Sequence, residues 1–246
     1  MIAFVVPAHN EEALLGACLD SIARAMREVA PRDDFEIVVA NDASTDRTGD
    51  IARARGAVVI DVTLRHIAAV RNAGARAISP RCERLIFLDA DTVLTSGALA
   101  GTLAAFASGA VGGGARFVSD GRLPLLAKLT FNFFTALWFS LRLAAGCYVF
   151  ARRQDFEAVG GFDERVYAGE EYFISRALKR RGRFVIVDQP VVTSARKLRT
   201  YTPLQLVGFL IKLVARGERG IQSRKGLELW YEAKREPPHE PKGPAA

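Results

Sequence analysis

The chain has 246 residues, of which half are hydrophobic and a quarter are charged, as expected for one folded domain with at most a short appendage. Its three cysteines, Cys18, Cys82 and Cys147, are odd in number and widely spaced and form no metal or redox motif, so a reduced cytosolic setting is the simplest interpretation. The amino terminus enters an apolar run at once, without the basic segment and cleavage site of a secretion signal. We therefore expect a cytoplasmic protein.

The net charge of +7 belongs to the carboxyl-terminal part of the chain. Residues 176–246 hold 16 Lys and Arg against 6 Asp and Glu, whereas residues 1–175 hold 18 against 21. This asymmetry suits an anionic partner, such as a phosphorylated substrate, an acidic membrane surface or nucleic acid. A tail that merely increases solubility explains it too.

The first ninety residues alternate between short apolar runs and amphipathic segments. Their patterning predicts strands over residues 2–6, 35–40, 57–61 and 85–88, and helices over about 14–29 and 47–55. Asn10 is well placed to cap the first helix. Such alternation predicts a parallel, doubly wound α/β sheet with its polar loops along one edge.

Two aspartates, Asp89 and Asp91, directly follow the apolar run Leu85–Leu88. In an extended chain, residues two apart point the same way, so both carboxylates would face the ligand edge of the sheet. Two hard oxygen donors can share a divalent cation with the oxygens of a diphosphate. The alternative is that they are two solvated acids at a strand end.

Four stretches carry a resemblance to a known family: Val5–Glu12 (VVPAHNEE), Asn41–Asp46 (NDASTD), Arg71–Gly74 (RNAG) and Asp89–Asp91 (DAD). In this order and at these intervals they resemble the signatures of inverting family 2 glycosyltransferases. The resemblance implies the GT-A fold, which is an α/β fold with a mainly parallel central sheet and helices on both faces. It implies a catalytic domain over residues 1–200, with a nucleotide-sugar half (1–95) and an acceptor half (96–200).

The resemblance also implies roles for single residues on the donor side. Pro7, Ala8 and Glu11 would wrap the nucleoside, and Asp42 would accept a hydrogen bond from the base, which a carboxylate does well because it offers only acceptors. Arg71 would lie near the base and the diphosphate. For each residue a purely structural role is the alternative: a helix cap for Asn10 and Glu11, a turn acid for Asp42 and a solvated helix charge for Arg71.

At the acidic pair, the resemblance makes Asp91 the direct ligand of a divalent cation, Mn²⁺ or Mg²⁺, and places Asp89 near both the ribose and the metal. Some relatives have a further histidine ligand near residue 195, which this chain lacks. Arg196, Lys197 and Arg199 stand there instead and could close over the diphosphate.

On the acceptor side, residues 149–164 again resemble the family, and Gly169-Glu170-Glu171 opens a helix predicted to reach Arg181. The family holds Glu-Asp here, and its Asp is the catalytic base. Glu171 falls on that position and can do the same work with a longer stem. Glu170 is the second candidate, and a third reading is that both acids only stabilise the helix terminus.

Two stretches between these motifs leave alternatives open. Patterning predicts a helix over 96–108 and a strand over 110–118, whose glycines, Gly112 to Gly114, could admit a ligand closely or mark a bulge. Residues 123–151 are too interrupted by charge to span a membrane but unusually aromatic. Their aromatic residues could line an apolar acceptor site, dip into a bilayer interface or pack in the core; they are Phe131, Phe133, Phe134, Trp138 and Phe139.

The carboxyl-terminal part is predicted to contain a last strand over 183–187 and a basic, apolar helical appendage over 201–233. The apolar helix at 204–214, with basic residues at both ends, suits either an anionic membrane surface or packing on the main domain. The prolines after residue 234 predict a disordered tail over 234–246.

Together these features predict a metal-dependent, inverting glycosyltransferase that moves a sugar from a nucleotide-diphosphate donor, preferably a UDP-sugar, to a hydroxyl of a saccharide or lipid-linked acceptor. The rivals are a retaining transferase or nucleotidyltransferase on a similar sheet, and a non-catalytic protein that binds nucleotide sugars or a membrane surface. We expect no nucleic-acid partner, because no aromatic and basic recognition motif is present. Peripheral contact with the inner face of a membrane stays open.

Overall fold

The structure is a computed structural model that describes residues 1–121, 135 and 138–194. Its strands are β1 (Ile2–Ala8), β2 (Phe35–Asp42), β3 (Val58–Val62), β4 (Arg84–Leu88), β5 (Thr92–Val93), β6 (Gly112–Asp120), β7 (Tyr148–Arg152) and β8 (Phe184–Ser194). The helices described over their whole length are α1 (Leu15–Val29), α2 (Thr48–Ala54), α3 (Ile67–Arg76), α4 (Ser96–Ala107), α5 (Arg153–Ala158) and α6 (Glu170–Arg181).

The described strands form one sheet in the order β3-β2-β1-β4-β7-β6-β8-β5. Strands β3, β2, β1 and β4 are parallel, and so are β6 and β8, whereas β7 is antiparallel to both of its neighbours. The predicted α/β architecture is confirmed, and the sheet is mixed. Helices still stand between strands in the second half, and the difference lies in strand direction, since β7 and β5 run antiparallel to their neighbours.

Helices cover both faces of the sheet, as predicted. Strand β1 is buried along its whole length: Phe4 and Val6 pack into the hydrophobic cluster that contains α1 and α4, and Ala3 and Val5 into the cluster that contains α3 and α6. This two-sided burial explains why β1 and β4 are continuous apolar runs in the sequence.

The parallel half brings the carboxyl ends of β2, β1 and β4 side by side. Ala8, at the end of β1, is paired with Asn41 next to the end of β2, and Val5 of β1 is paired with Phe87 of β4. The polar residues that follow these three strands therefore meet at one edge of the sheet. Glu170 and Glu171 reach the same edge from the first turn of α6.

Two local predictions are wrong. Asn10 does not cap α1, which begins at Leu15; its backbone has a φ of 51°, and its side chain accepts a hydrogen bond from the amide of Thr45 at 2.6 Å. The last strand does not end at residue 187 but continues to Ser194, because β8 pairs with β6 as far as Asp120.

The glycines of β6 serve close packing within the sheet. A Cβ atom at Gly113 would lie 1.9 Å from the carbonyl oxygen of Val185 and 2.4 Å from the ring of Phe150. The irregularity of β6 lies further on, between Ala115 and Phe117, so the glycines do not mark a bulge. They allow β7 and β8 to approach β6 from either side.

Part of the aromatic stretch 123–151 falls within the described residues. Phe139 is buried with its ring 5.8 Å from that of Phe117, and the indole of Trp138 donates to the carbonyl oxygen of Ala144. The core reading therefore holds for Phe139. Outside the described residues lie Phe131, Phe133, Phe134, Arg196, Lys197, Arg199, the appendage over 201–233 and the tail over 234–246.

No described helix combines the length and apolar character that crossing a bilayer requires.

We predict that Gly113→Ala destabilises the fold by about 3 kcal/mol or more, because the added methyl group meets backbone and a buried ring that cannot move aside. Denaturant unfolding monitored by circular dichroism measures this change. Gly97→Ala is the control: its Cβ atom would meet only the side chain of Gln189, and alanine favours the helix. Equal stability of the two variants would contradict the packing role of Gly113.

Candidate active site

The loops that follow β1 and β2 are bonded to each other. The amide of Asn10 donates to the Ser44 hydroxyl at 2.8 Å, and the amide of Glu11 donates to the Thr48 hydroxyl at 2.7 Å. Within the first loop, the carbonyl oxygen of Glu11 accepts from the amide of Leu15 and so starts α1. The two signature stretches Val5–Glu12 and Asn41–Asp46 therefore bind each other directly at this edge of the sheet.

Pro7 and Ala8 are the last residues of β1 and are buried, so what they offer a ligand at this edge is mainly backbone. Asp42 ends β2 and is 6% exposed. Its Oδ1 accepts from the amides of Leu64 and Arg65, at 2.8 and 3.0 Å, and so holds the chain after β3. Its Oδ2 has no hydrogen bond within the described chain. One oxygen of Asp42 is thus structural, and the other is available to a ligand.

Arg71 lies on α3 and is 2% exposed, so the reading of a solvated helix charge is wrong. Its guanidinium donates to Glu170 at 2.5 Å, to Asp89 at 2.7 Å and to the carbonyl oxygen of Gly146 at 2.7 Å. Burial alone would lower the pKa of Arg71, but the negative charges of Asp89 and Glu170 outweigh it and raise that pKa. Arg71 therefore stays cationic and joins three separate parts of the chain.

Asn72, next to Arg71, fixes the loop that leads towards α6. Its Nδ2 donates to the carbonyl oxygen of Phe162 and to the carboxylate of Glu164, both at 2.8 Å, and its Oδ1 accepts from the amide of Phe162. Gly74 allows α3 to approach β1, since a Cβ atom there would lie 2.4 Å from the side chain of Val5. Each of these residues of the Arg71–Gly74 stretch therefore has a distinct structural task.

Asp89 and Asp91 stand at the edge where β4 ends. The Asp89 side chain is 33% exposed, and one of its oxygens is bound to Arg71. Asp91 is half-buried, and its carbonyl oxygen accepts from the amide of Ser194, so the end of β8 lies beside it. Ser194 is the last described residue before the basic stretch that contains Arg196 and Arg199.

Both aspartates act electrostatically on two nearby thiols. Burial, then the negative charges of Asp91 and Asp89, raises the pKa of Cys18, and the same two charges add to burial in raising the pKa of Cys147. The thiols are therefore neutral, and the donors available to a metal here are carboxylate oxygens. Within the described residues, no group of three or more His, Cys, Asp or Glu side chains is arranged to hold a metal.

Glu171 follows Glu170 in the first turn of α6 and is half-buried. Burial of its carboxyl, followed by the negative charge of Glu170, raises the pKa of Glu171 to about 8. Its carboxylate carbon lies 3.7 Å from the position that a Cβ atom of Gly146 would occupy, and Arg71 lies equally close to that position. The structure thus gathers Arg71, Asp89, Glu170 and Glu171 at one place.

Gly146 is the site residue that sequence reasoning missed. Its carbonyl oxygen binds Arg71, and a side chain at its position would enter the space between Arg71 and Glu171. The only signal in the sequence is a lone glycine between Ala145 and Cys147, at the end of a hydrophobic stretch. That signal does not identify a site by itself.

Comparison with known proteins supports the family. The model of Glycosyl transferase family 2 matches residues 3–159, which include every donor-side residue described above and end before α6. Validoxylamine A glucosyltransferase of Streptomyces hygroscopicus subsp. limoneus is 39% identical over 95 residues, covering 36% of this chain and 20% of that protein. Poly(ribitol-phosphate) beta-glucosyltransferase of Bacillus spizizenii is 32% identical over 105 residues, covering 40% and 16%. The matched region is thus about a fifth of the length of these relatives.

Solved structures of low sequence identity share the fold. S. aureus TarS 1-349 superimposes with a TM-score of 0.58 at 20% identity, covering 80% of this chain and 61% of that one. Mannosyltransferase PcManGT from Pyrobaculum calidifontis, solved with GDP-Man and Mn²⁺, gives 0.60 at 21% identity, covering 86% and 64%. Glucosyl-3-phosphoglycerate synthase from Mycobacterium tuberculosis, solved with Mn²⁺, UDP and glucosyl-3-phosphoglycerate, gives 0.55 at 20%, covering 87% and 77%. The fold is the GT-A fold, and the chain belongs to glycosyl transferase family 2.

Proposed function

We propose that this protein is a metal-dependent, inverting glycosyltransferase in which Glu171 is the catalytic base. The observation that carries this proposal is the convergence of Asp89, Glu170 and Glu171 on the buried Arg71, at the edge where the donor-side strands end. Glu171 takes the proton of an acceptor hydroxyl as that oxygen attacks the anomeric carbon. The bond from this carbon to the nucleoside diphosphate breaks, and its electron pair leaves with the diphosphate.

Glu170 and Glu171 have different tasks in this proposal. The side chain of Glu170 is 6% exposed and forms an ion pair with Arg71, which fixes its position. Glu171 carries the raised pKa that suits a proton acceptor working near neutral pH. The base role therefore goes to Glu171, and Glu170 acts as the residue that positions the guanidinium and raises the basicity of its neighbour.

The residues at the acidic pair fit a divalent cation. Asp91 and the second oxygen of Asp89 are hard donors, and the neighbouring thiols are neutral. Two carboxylates leave coordination positions for diphosphate oxygens and water, so Asp91 and Asp89 would hold Mn²⁺ or Mg²⁺ together with the donor. When bound, the cation supplies charge neutralisation for the departing diphosphate.

A UDP-sugar is the preferred donor in this proposal, because two of the structural neighbours are described with UDP, UDP-sugar or a UDP product. PcManGT was solved with GDP-Man, so assays with both UDP-sugars and GDP-sugars are needed to identify the nucleoside base of the donor. Within this chain, Asp42 would bind the nucleoside base through Oδ2, and Pro7, Ala8 and Glu11 would lie beside the nucleoside. Arg196 and Arg199 would lie near the diphosphate. Arg71 would act through Asp89 and Glu170, since its guanidinium is already engaged.

The acceptor would present a hydroxyl of a saccharide or a lipid-linked molecule to Glu171. Two proteins named above carry a phosphorylated acceptor or product in their names, namely poly(ribitol-phosphate) and glucosyl-3-phosphoglycerate. Peripheral contact with an anionic membrane through the basic carboxyl-terminal part remains part of the proposal for a lipid-linked acceptor.

Hydrolysis of nucleotide sugars tests the donor site, because water can replace the acceptor. We expect hydrolysis that depends on Mn²⁺ or Mg²⁺ and falls at least about a hundredfold in Asp91→Ala, since the cation loses its main ligand. Asp50→Asn, at an 82% exposed carboxylate on α2, is the control and should match the wild type. Ion-independent hydrolysis would contradict the metal role, and donor binding without any hydrolysis would favour a non-catalytic binding protein.

The pH dependence of hydrolysis tests the base. Glu171 must be deprotonated to accept a proton, and its pKa is raised to about 8, so kcat/KM should rise with pH until about 8 and level off above it. Glu171→Gln should lower kcat by about 10²- to 10⁴-fold. In Glu170→Gln, loss of the neighbouring charge should move the rise to lower pH. A rise complete below pH 6 in the wild type would exclude Glu171 as the base.

Removal of the Arg71 guanidinium tests its positioning role. Arg71→Met should destabilise the protein by about 3–5 kcal/mol, because Asp89 and Glu170 lose the cation that compensates them. Arg76→Met, at a 68% exposed arginine on the same helix, should change the free energy of unfolding by less than about 0.5 kcal/mol. Thermal and denaturant unfolding measure both, and similar values for the two variants would refute the buried ion pair as an anchor.

A further inference from the structure

Three cationic side chains lie close together where residues 141–142 contact α6: they are Arg142, Arg176 and Lys179. Arg176 and Lys179 are three residues apart on α6, which makes them neighbours on the helix surface. The ammonium of Lys179 donates to the carbonyl oxygen of Leu141 at 2.7 Å, so the next residue, Arg142, is held beside them. Arg142 and Arg176 are exposed, and Arg142 has a φ of 51°, an uncommon backbone conformation for a side chain of this size.

These cations, which we call the basic cluster, have no carboxylate partner within the described chain. Arg176 donates to the hydroxyl of Tyr172 and lies over its ring, and the ammonium of Lys179 lies 5.7 Å from the ring centre of Phe184. The Arg142 side chain makes no hydrogen bond or ion pair with a described residue. Burial and then the positive charges of Arg142 and Arg176 lower the pKa of Lys179, as expected for cations that repel one another.

One chain segment, residues 141–146, links the basic cluster to Glu171, the proposed catalytic base. Residues 141–146 run along α6 in the opposite direction: Leu141 meets Lys179, the amide of Ala144 binds the hydroxyl of Ser175 at 3.0 Å, and Gly146 lies beside Glu171. Helix rise puts the backbone of Arg176 about 7.5 Å, and that of Lys179 about 12 Å, from Glu171 along the axis. Helix side chains lean towards the amino terminus of their helix, so Arg176 and Lys179 project back from these positions towards Glu171. The remaining gap suits a sugar or a short polyol that carries both a hydroxyl and a phosphate.

We propose that Arg142, Arg176 and Lys179 bind a phosphate group of the acceptor. The acceptor of the proposed transfer, on which this inference rests, would then be a phosphorylated molecule whose free hydroxyl reaches Glu171. Guanidinium groups match phosphate oxygens with paired hydrogen bonds, and the ammonium adds a third charge. A soluble polyol or sugar phosphate and a lipid phosphate share this chemistry, and Leu141, which is 58% exposed beside the cluster, is compatible with either source.

Binding of phosphorylated probes to the full chain tests the proposal. The soluble probe is glycerol 3-phosphate, measured by calorimetry, and the lipid probe is phosphatidylcholine vesicles that contain phosphatidic acid, compared with pure phosphatidylcholine vesicles by sedimentation. At least one phosphorylated probe should bind, and Arg142→Gln/Arg176→Gln should weaken that binding about tenfold or more, as loss of two charged contacts predicts. Which probe binds identifies the source of the phosphate.

Three further variants separate a local effect from a general one. Arg24→Gln removes an exposed charge from α1, which packs on the other face of the sheet, and should bind like the wild type. Arg142→Lys/Arg176→Lys should recover most of the affinity, because the positive charge is kept. Arg142→Gln alone removes a side chain without described partners, so it should keep the melting temperature and still weaken binding about threefold.

The proposal is overturned if neither phosphorylated probe binds, or if the double glutamine variant binds as tightly as the wild type. A phosphate that occupies the donor site would give the second result, since Arg142 and Arg176 lie outside that site. Failure of the proposed glycosyl transfer is recognised separately, by the absence of ion-dependent donor hydrolysis in the wild type.

Discussion

The buried guanidinium of Arg71 is the interaction on which the site depends. An arginine does not lose its charge in a protein, so a side chain that is 2% exposed needs carboxylates around it. Asp89 comes from the end of β4 and Glu170 from the start of α6, eighty-one residues later in the chain. Their common bond to Arg71 fixes the donor-side sheet edge and the acceptor-side helix in one arrangement, which neither element would impose alone.

The carboxylates around Arg71 outnumber its single positive charge, and this excess of negative charge shapes the chemistry of the site. Asp89, Glu170 and Glu171 all act on one guanidinium, and Asp91 stands two residues from the first of them. Burial, followed by the negative charge of Glu170, raises the pKa of Glu171, which suits proton acceptance. Asp89 and Asp91 place carboxylate oxygens at the exposed edge, which suits a divalent cation. The proposed base and the proposed cation site therefore belong to one group of neighbouring acids.

The segment that runs along α6 extends this arrangement away from the donor. Gly146 touches both Arg71 and the neighbourhood of Glu171, and five residues earlier Leu141 receives the ammonium of Lys179. Helix α6 is therefore acidic at Glu170 and Glu171 and basic at Arg176 and Lys179, about two turns further along. In the proposed reaction the proton leaves at the acidic end, and the basic end holds the anionic part of the acceptor.

The sequence alone determined the α/β class, the positions of most of the first strands and helices, and the residues at their ends. It could do so because periodicity is local and because parallel strands bring their carboxyl ends to one edge. Tertiary structure decided what those residues contact. The partners of Arg71, the task of Gly146, the antiparallel course of β7 and the packing of Gly113 depend on segments far apart in the chain. Local patterns do not encode such pairings, since they arise only when the strands have found their order in the sheet.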